Sequence, residues 1–287
     1  EVYAAIYYTQ FAENAHSYIH HTSWPGKELV RWQNSSNASQ WVISQAHLLT
    51  IVYEKDGSQL YSVEEFVESG SEYTITDKFG QVASCVVGDT PIEGNNGTWT
   101  IPVNGATTVT VTLDNSLYAL KTAAGTYLNF TPLTVEGYTT QATFQDQPSY
   151  LNINMVPSSG AYTFEDYNTP GEYIGVGAAN EEWLLSKNYA LWQVSDPENG
   201  YVTISRNGNS EQRLGSDDNT NAGTAIFTTT GANCNKWQIV KAYPLTFIYK
   251  VNGEKVGEEN TIVWANEKYE ISLGDEYADN TILSCVA

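Results

Sequence analysis

The chain has 287 residues, with 33 Asp and Glu against 13 Lys and Arg, for a formal net charge of −20. That field repels nucleic-acid phosphates and anionic membrane surfaces, and the basic residues are dispersed rather than clustered. No run of about 18 apolar residues is present to insert in a bilayer, while 20 tyrosines and 8 tryptophans supply the apolar surface that disordered chains lack.

Long Ala/Leu/Glu/Lys stretches are absent and Thr, Asn, Ser and Gly are plentiful, so the expectation is an all-β protein with several small domains. Cys85, Cys234 and Cys285 lie far apart with no Cys-x-x-Cys pair, which gives neither a disulfide framework nor a zinc site. The sequence has no initiator Met and no signal peptide, and reads as a mature product or an excised piece. Its Thr/Asn/Tyr-rich, Lys-poor composition points to a secreted or cell-surface protein, of bacterial type.

Residues 1–46 carry one aromatic-plus-aliphatic pair, Tyr18-Ile19, then Trp32 and a closing Trp41. They read as a single lobe, part of a domain. His16, His20 and His21 lie close in sequence, but neighbours on a strand face opposite sides, so they are not a zinc set.

Residues 47–116 read as a small β-sandwich. Leu49 to Tyr53 is a β-branched and aromatic run, followed by Asp56-Gly57, a pair suited to a two-residue hairpin. Thr98 to Ile101 and the alternating Thr107 to Leu113 supply two more strands, the second with one wet and one dry face.

Residues 117–243 hold three further lobes, opening on Tyr127-Leu128, Tyr173-Ile174 and Arg213-Leu214. Each has a large aromatic near its middle: Phe144, Trp183 and Phe227. Two close on Trp192 and Trp237, and the other has Ile153 or Met155 in that place. Lobes of about 40 residues built from short strands suggest a β-trefoil.

Residues 244–287 repeat the sandwich in part. Leu245-Thr246-Phe247-Ile248-Tyr249 and Asn252-Gly253 match Leu49 to Tyr53 and Asp56-Gly57 without a gap. Further matches pair Glu72 to Ile75 with Lys268 to Ile271, and Ser84 to Val87 with Ser284 to Ala287. The fold class expected is therefore all-β: a β-trefoil with flanking small β-sandwich domains, internally repeated.

The lobe pattern resembles the ricin-type β-trefoil lectin family, joined here to small Ig-like β-sandwich repeats. That family has a Gly-x-x-Leu-Asp stretch, a mid-lobe aromatic and a closing Gln-x-Trp. Here the closing stretches read Ser39-Gln40-Trp41, Ala190-Leu191-Trp192 and Asn235-Lys236-Trp237. The position of the family's sugar-binding Asp holds His20, Asn129, Gly175 or Gly215. The resemblance implies glycan binding, in which a ring lies against the apolar face of a sugar and amides or carboxylates meet its hydroxyls.

The candidate carbohydrate-binding residues are Trp32, His20, Asn129, Phe144, Gln145, Trp183 and Phe227. Gln33, Asn34, Asp146, Asn180 and Glu181 are polar neighbours, and the competing reading puts the rings in the core and the amides in turns. Asp217, Asn219 and Asn221 alternate like calcium ligands, but Ala222 and Thr228 replace the loop's Gly and Glu, so an Asx-rich turn is expected. Neither His-Glu-x-x-His nor Gly-x-Ser-x-Gly is present, and no catalytic residue, metal or cofactor is assigned. The partners expected are glycans, not nucleic acid and not a membrane. The rival readings are a repetitive adhesin or filament subunit assembling by strand exchange through its incomplete terminal domains, and a trefoil protease inhibitor.

Overall fold

A computed structural model of the chain describes the backbone of residues 6–8, 10–11, 14–21, 29–32, 40–42, 44–135, 138–176, 183–216, 219–229 and 234–270. Side chains are described over 44–132, 140–175, 185–216, 219–226 and 234–270. The protein is all-β and forms two compact units, Glu1–Asp114 and Asn115–Ala287. No helix among the described residues is long and apolar enough to cross a membrane.

The first unit opens with five short strands: β1 (Ile6–Tyr8), β2 (Gln10–Phe11), β3 (Asn14–His21), β4 (Leu29–Trp32) and β5 (Gln40–Val42). β1 pairs with β5, setting Tyr7 opposite Trp41. β2 pairs with β3 through Gln10 and Tyr18, and β3 with β4 through Tyr18 and Trp32.

The sandwich follows, from β6 (Ala46–Lys55), β7 (Ser58–Glu68), β8 (Ser71–Thr76), β9 (Val82–Val87), β10 (Thr90–Pro91), β11 (Thr98–Val103) and β12 (Thr107–Leu113). One sheet runs β10-β9-β12-β6-β7 and the other β11-β8. Alternation sends one face of each strand inward. Leu49, Ile51, Ile75, Cys85, Ile101, Val103, Val109 and Val111 meet there as one core. Asp56 and Gly57 both adopt positive φ, at 51° and 73°, as a two-residue turn of this kind requires. The two-residue turn after Tyr53 makes the first pair, β6 and β7, antiparallel. The last strand, β12, lies parallel to the first, Thr107 opposite Leu49 through Leu113 opposite Lys55. The long chain between them makes that crossover possible.

The second unit contains β13 (Leu117–Lys121), β14 (Tyr127–Val135), β15 (Tyr138–Gln145), β16 (Leu151–Val156), β17 (Ala161–Asp166), β18 (Tyr173–Val176), β19 (Trp183–Ser186), β20 (Trp192–Val194), β21 (Ile204–Arg206), β22 (Asn209–Gly215), β23 (Phe227–Thr229), β24 (Gln238–Val251) and β25 (Glu254–Trp264). Three strand pairs recur once per lobe. Tyr118 faces Leu151, Tyr162 faces Trp192, and Val202 faces Trp237. Lys121 faces Tyr127, Glu165 faces Tyr173, and Ser205 faces Arg213. Each lobe also carries one hairpin, β14–β15, β18–β19 or β22–β23. The staves β13, β16, β17, β20, β21 and β24 join in that order, and β24 returns to β13, closing the ring. A closed barrel with three equivalent hairpins is a β-trefoil. Strands β1–β5 repeat the same two contacts, Tyr7 with Trp41 and Gln10 with Tyr18.

The lobe-closing tryptophans lie in the core, both fully buried. Trp192 donates its indole N–H to the Ile174 carbonyl at 3.2 Å, and Trp237 to the Leu214 carbonyl at 2.9 Å. In the first lobe the register places Leu151 in this position, correcting the expectation of Ile153 or Met155. Leucine has no donor, and there the Leu128 carbonyl accepts from the Ser149 backbone N–H at 3.0 Å. Each lobe therefore satisfies the same buried carbonyl, as a low-dielectric interior demands.

β24 continues straight from the barrel into a hairpin with β25, so no break falls at 243/244 where the sequence suggested a boundary. This hairpin reproduces β6–β7 closely. Asn252 and Gly253 take φ of 52° and 88°. The register shifts between Tyr249 and Lys250, as it does between Tyr53 and Glu54. The matches at Ile271 and Ser284 to Ala287, and Cys285, lie outside the described residues.

Candidate functional site

Strand register decides which of the expected ligand residues correspond. Trp32 lies opposite Tyr18, Phe144 opposite Leu128, Trp183 opposite Val176, and Phe227 opposite Gly215. Relative to the recurring Tyr/Arg position of each lobe these are four different places, so the mid-lobe aromatics are not one conserved platform. A one-residue slip turns a side chain to the other face.

Phe144 is excluded as a sugar platform. Its side chain is 0 % exposed and stacks on Trp237 with centroids 5.5 Å apart and planes at 17°, inside the barrel core. Asn129 donates from Nδ2 to the Gln147 carbonyl at 3.0 Å, and Gln145 from Nε2 to the Thr143 hydroxyl at 3.1 Å, so both amides tie down their own hairpin. The side chains of Trp32, His20, Trp183 and Phe227 lie outside the described residues, as do Gln33, Asn34, Asn180, Glu181 and Asp217. Asn219 uses Oδ1 to accept from the Asn221 backbone N–H at 2.8 Å and the Thr224 hydroxyl at 2.9 Å, which is an Asx turn.

What the second lobe does present is an aromatic shelf. It is built on the turn between β17 and β18. Asp166 is buried at its base, 4 % exposed, and burial raises its carboxyl above the ordinary range against hydrogen bonds from the Thr169 side chain and the Asn168 and Thr169 backbone. Backbone bonds from Asp166 to Glu172 (2.9 Å) and from Glu172 to Thr169 (3.0 Å) close the turn. Gly171, at φ 84°, then directs its N–H onto Glu165 Oε1 at 2.7 Å. That bond holds the Glu165 carboxylate beside its cross-strand neighbour Tyr173. Tyr189 completes the shelf from the loop after β19. Its ring is 58 % exposed and meets Tyr173 edge to face, 5.8 Å between centroids at 67°. Partial burial raises the Tyr173 phenol, and Glu165 and Tyr189 push it further in the same direction. The phenol therefore remains a protonated donor, next to a fixed carboxylate acceptor and an open ring.

The equivalent positions elsewhere are differently used. Tyr127 is covered by Trp264 of β25, stacked at 5.9 Å and 15°, with Tyr150 packed on the same indole at 5.5 Å and Lys121 Nζ 5.3 Å from the Tyr127 centroid. Arg213 folds back to the Ser210 carbonyl at 3.1 Å. Among the described residues, the second lobe alone leaves this position open with an aromatic ring on it. Sequence reading named Tyr173 only as a lobe marker and missed Glu165 and Tyr189. No motif marks Tyr189, which sits between Asn188 and Ala190 in the loop after β19.

No family model matches the chain, and no curated protein does. Among solved structures, it is similar to a designed 3-fold symmetric protein, ThreeFoil, at 14 % identity and a TM-score of 0.35, over 43 % of this chain and 96 % of that one. It is also similar to a mosquitocidal holotoxin at 10 % identity and a TM-score of 0.38, over 83 % of this chain. The chain spans 34 % of the holotoxin's length. Likenesses this distant carry no assignment, and the trefoil rests on the recurring strand pairs.

Proposed function

We propose that this protein is a non-catalytic, carbohydrate-binding module of a secreted or cell-surface protein, akin to the ricin-type lectins, and that the second trefoil lobe holds its glycan. One observation carries the reading. The exposed Tyr189 ring stands against Tyr173 beside a backbone-anchored Glu165. A pyranose has one apolar C–H face and a rim of hydroxyls. An open ring covers the face, while a carboxylate accepts from two vicinal hydroxyls and a phenol donates. The sandwich of residues 46–113 is read as Ig-like.

A glycan array probed with the whole chain tests this, followed by calorimetric titration of the best sugar. Tyr189→Ala removes the platform without touching the core and is expected to weaken binding at least tenfold, about 1.4 kcal/mol. Phe66→Ala, on an 80 % exposed ring in the other unit, is expected to leave it unchanged. A chain that binds no sugar on the array, or a Tyr189→Ala variant as tight as the parent, would overturn the reading.

A further inference from the structure

The shelf on the second lobe has a sign as well as a shape. Glu165 and Asp166 end β17, and Glu172 precedes β18. Lys187, exposed on the loop after β19, is the basic residue that the described part of these strands and loops adds. Three carboxyl groups therefore stand against one amine, in a chain whose net charge is already −20.

Glu165 is the carboxylate best placed to meet a ligand. The Gly171 N–H fixes its Oε1, and its strand partner is Tyr173. Among the described residues no lysine or arginine forms an ion pair with Glu165. Beside it the Tyr173 and Tyr189 rings meet at 67°, which makes a corner rather than a flat floor. A group seated in that corner meets ring π density and a carboxylate together. A neutral hydroxyl gains there little more than the hydrogen bond it gave up to water. An ammonium gains a charge-assisted hydrogen bond and the attraction of the rings for a cation as well.

We infer that the shelf selects sugars bearing a free amine: a hexosamine whose ammonium sits between the Glu165 carboxylate and the Tyr173 and Tyr189 rings. This rests on the glycan reading of the same site and adds the chemical class of the sugar. N-acetylation removes the charge and so removes the advantage.

The test is calorimetric titration of the whole chain at about pH 6, where the sugar amine carries its proton. The probes are glucosamine and galactosamine oligomers, their N-acetylated forms, and glucose and galactose oligomers of equal length. The amine form of at least one series should bind at least about fivefold tighter than both neutral forms. Glu165→Gln keeps an oxygen for the Gly171 N–H and should erase that preference while neutral sugars still bind. Glu64→Gln, an exposed carboxylate on β7 in the other unit, should leave the preference intact. The inference falls if neither amine form is preferred, if the preference survives Glu165→Gln, or if Glu64→Gln erases it equally. Neutral sugars bound through Tyr189 with no amine preference would sink this inference and leave the glycan reading standing. A chain that binds no sugar sinks both.

Discussion

Replacing Trp192 by Leu imposes on the second lobe the closing residue that the first lobe already has, without the first lobe's compensation. The indole is fully buried and its N–H meets the Ile174 carbonyl. Leucine fills only part of the volume, so the loss approaches the lower end of a Trp truncation, about 3 kcal/mol. The Ile174 carbonyl loses its indole partner in a dry site, which adds about 1 kcal/mol. For a unit of this size each kcal/mol lowers Tm by about 2–4 °C, so the transition should fall by about 8–16 °C. Differential scanning calorimetry of the whole chain measures it. Trp192→Phe keeps a ring but drops the donor, and should cost about one third as much. The reverse change, Leu151→Trp, should also destabilise, because Ser149 already serves the Leu128 carbonyl and the extra ring overpacks the site. A fall below about 3 °C for Trp192→Leu, or equal falls for the Leu and Phe variants, would refute the claim that the indole contact closes the second lobe.

Two other expectations concern the remaining structure. Asp166 is held above its solution range by burial, so its folded carboxyl is most favourable when protonated. That contribution is complete below the unfolded aspartate range near about 3.9 and is lost as pH rises through the raised folded value. Asp166→Asn should therefore gain stability relative to the parent as pH rises, in thermal melts across pH 3 to 8; a difference independent of pH contradicts it. In the first unit, a Cβ added at Gly94 would lie 2.5 Å from Trp99 Cε2, on a ring packed against the sandwich core. Gly94→Ala should cost about 1–3 kcal/mol in urea unfolding and quench differently at Trp99, whereas an unaltered midpoint would mean the ring moves aside freely.

The parts of this fold legible in the sequence are those written in local chemistry. Asp56-Gly57 and Asn252-Gly253 announce hairpins because few residues tolerate positive φ, and both turns form. Trp192 and Trp237 mark lobe ends because a buried indole at one fixed register meets the same carbonyl each time. Legibility fails where pairing is long-range. Nothing in Thr107 to Leu113 says that it lies parallel to β6 rather than antiparallel. The mid-lobe aromatics looked equivalent by spacing, but hairpin length varies between lobes, and the register that separates Phe144 from Trp183 and Phe227 exists only once the strands are paired. Tyr189 escaped because its environment is made by Tyr173 and a turn anchored on Glu165, contacts that no short motif encodes.

β24 runs unbroken for 14 residues, first as a stave of the barrel and then as one arm of a hairpin. With no linker between them, the two parts lack a hinge. Tension applied through the hairpin would reach the β13–β24 ladder along the strand itself, and Trp264 packed against Tyr127 and Tyr150 would resist the same pull. The hairpin and the barrel should accordingly yield in one mechanical event.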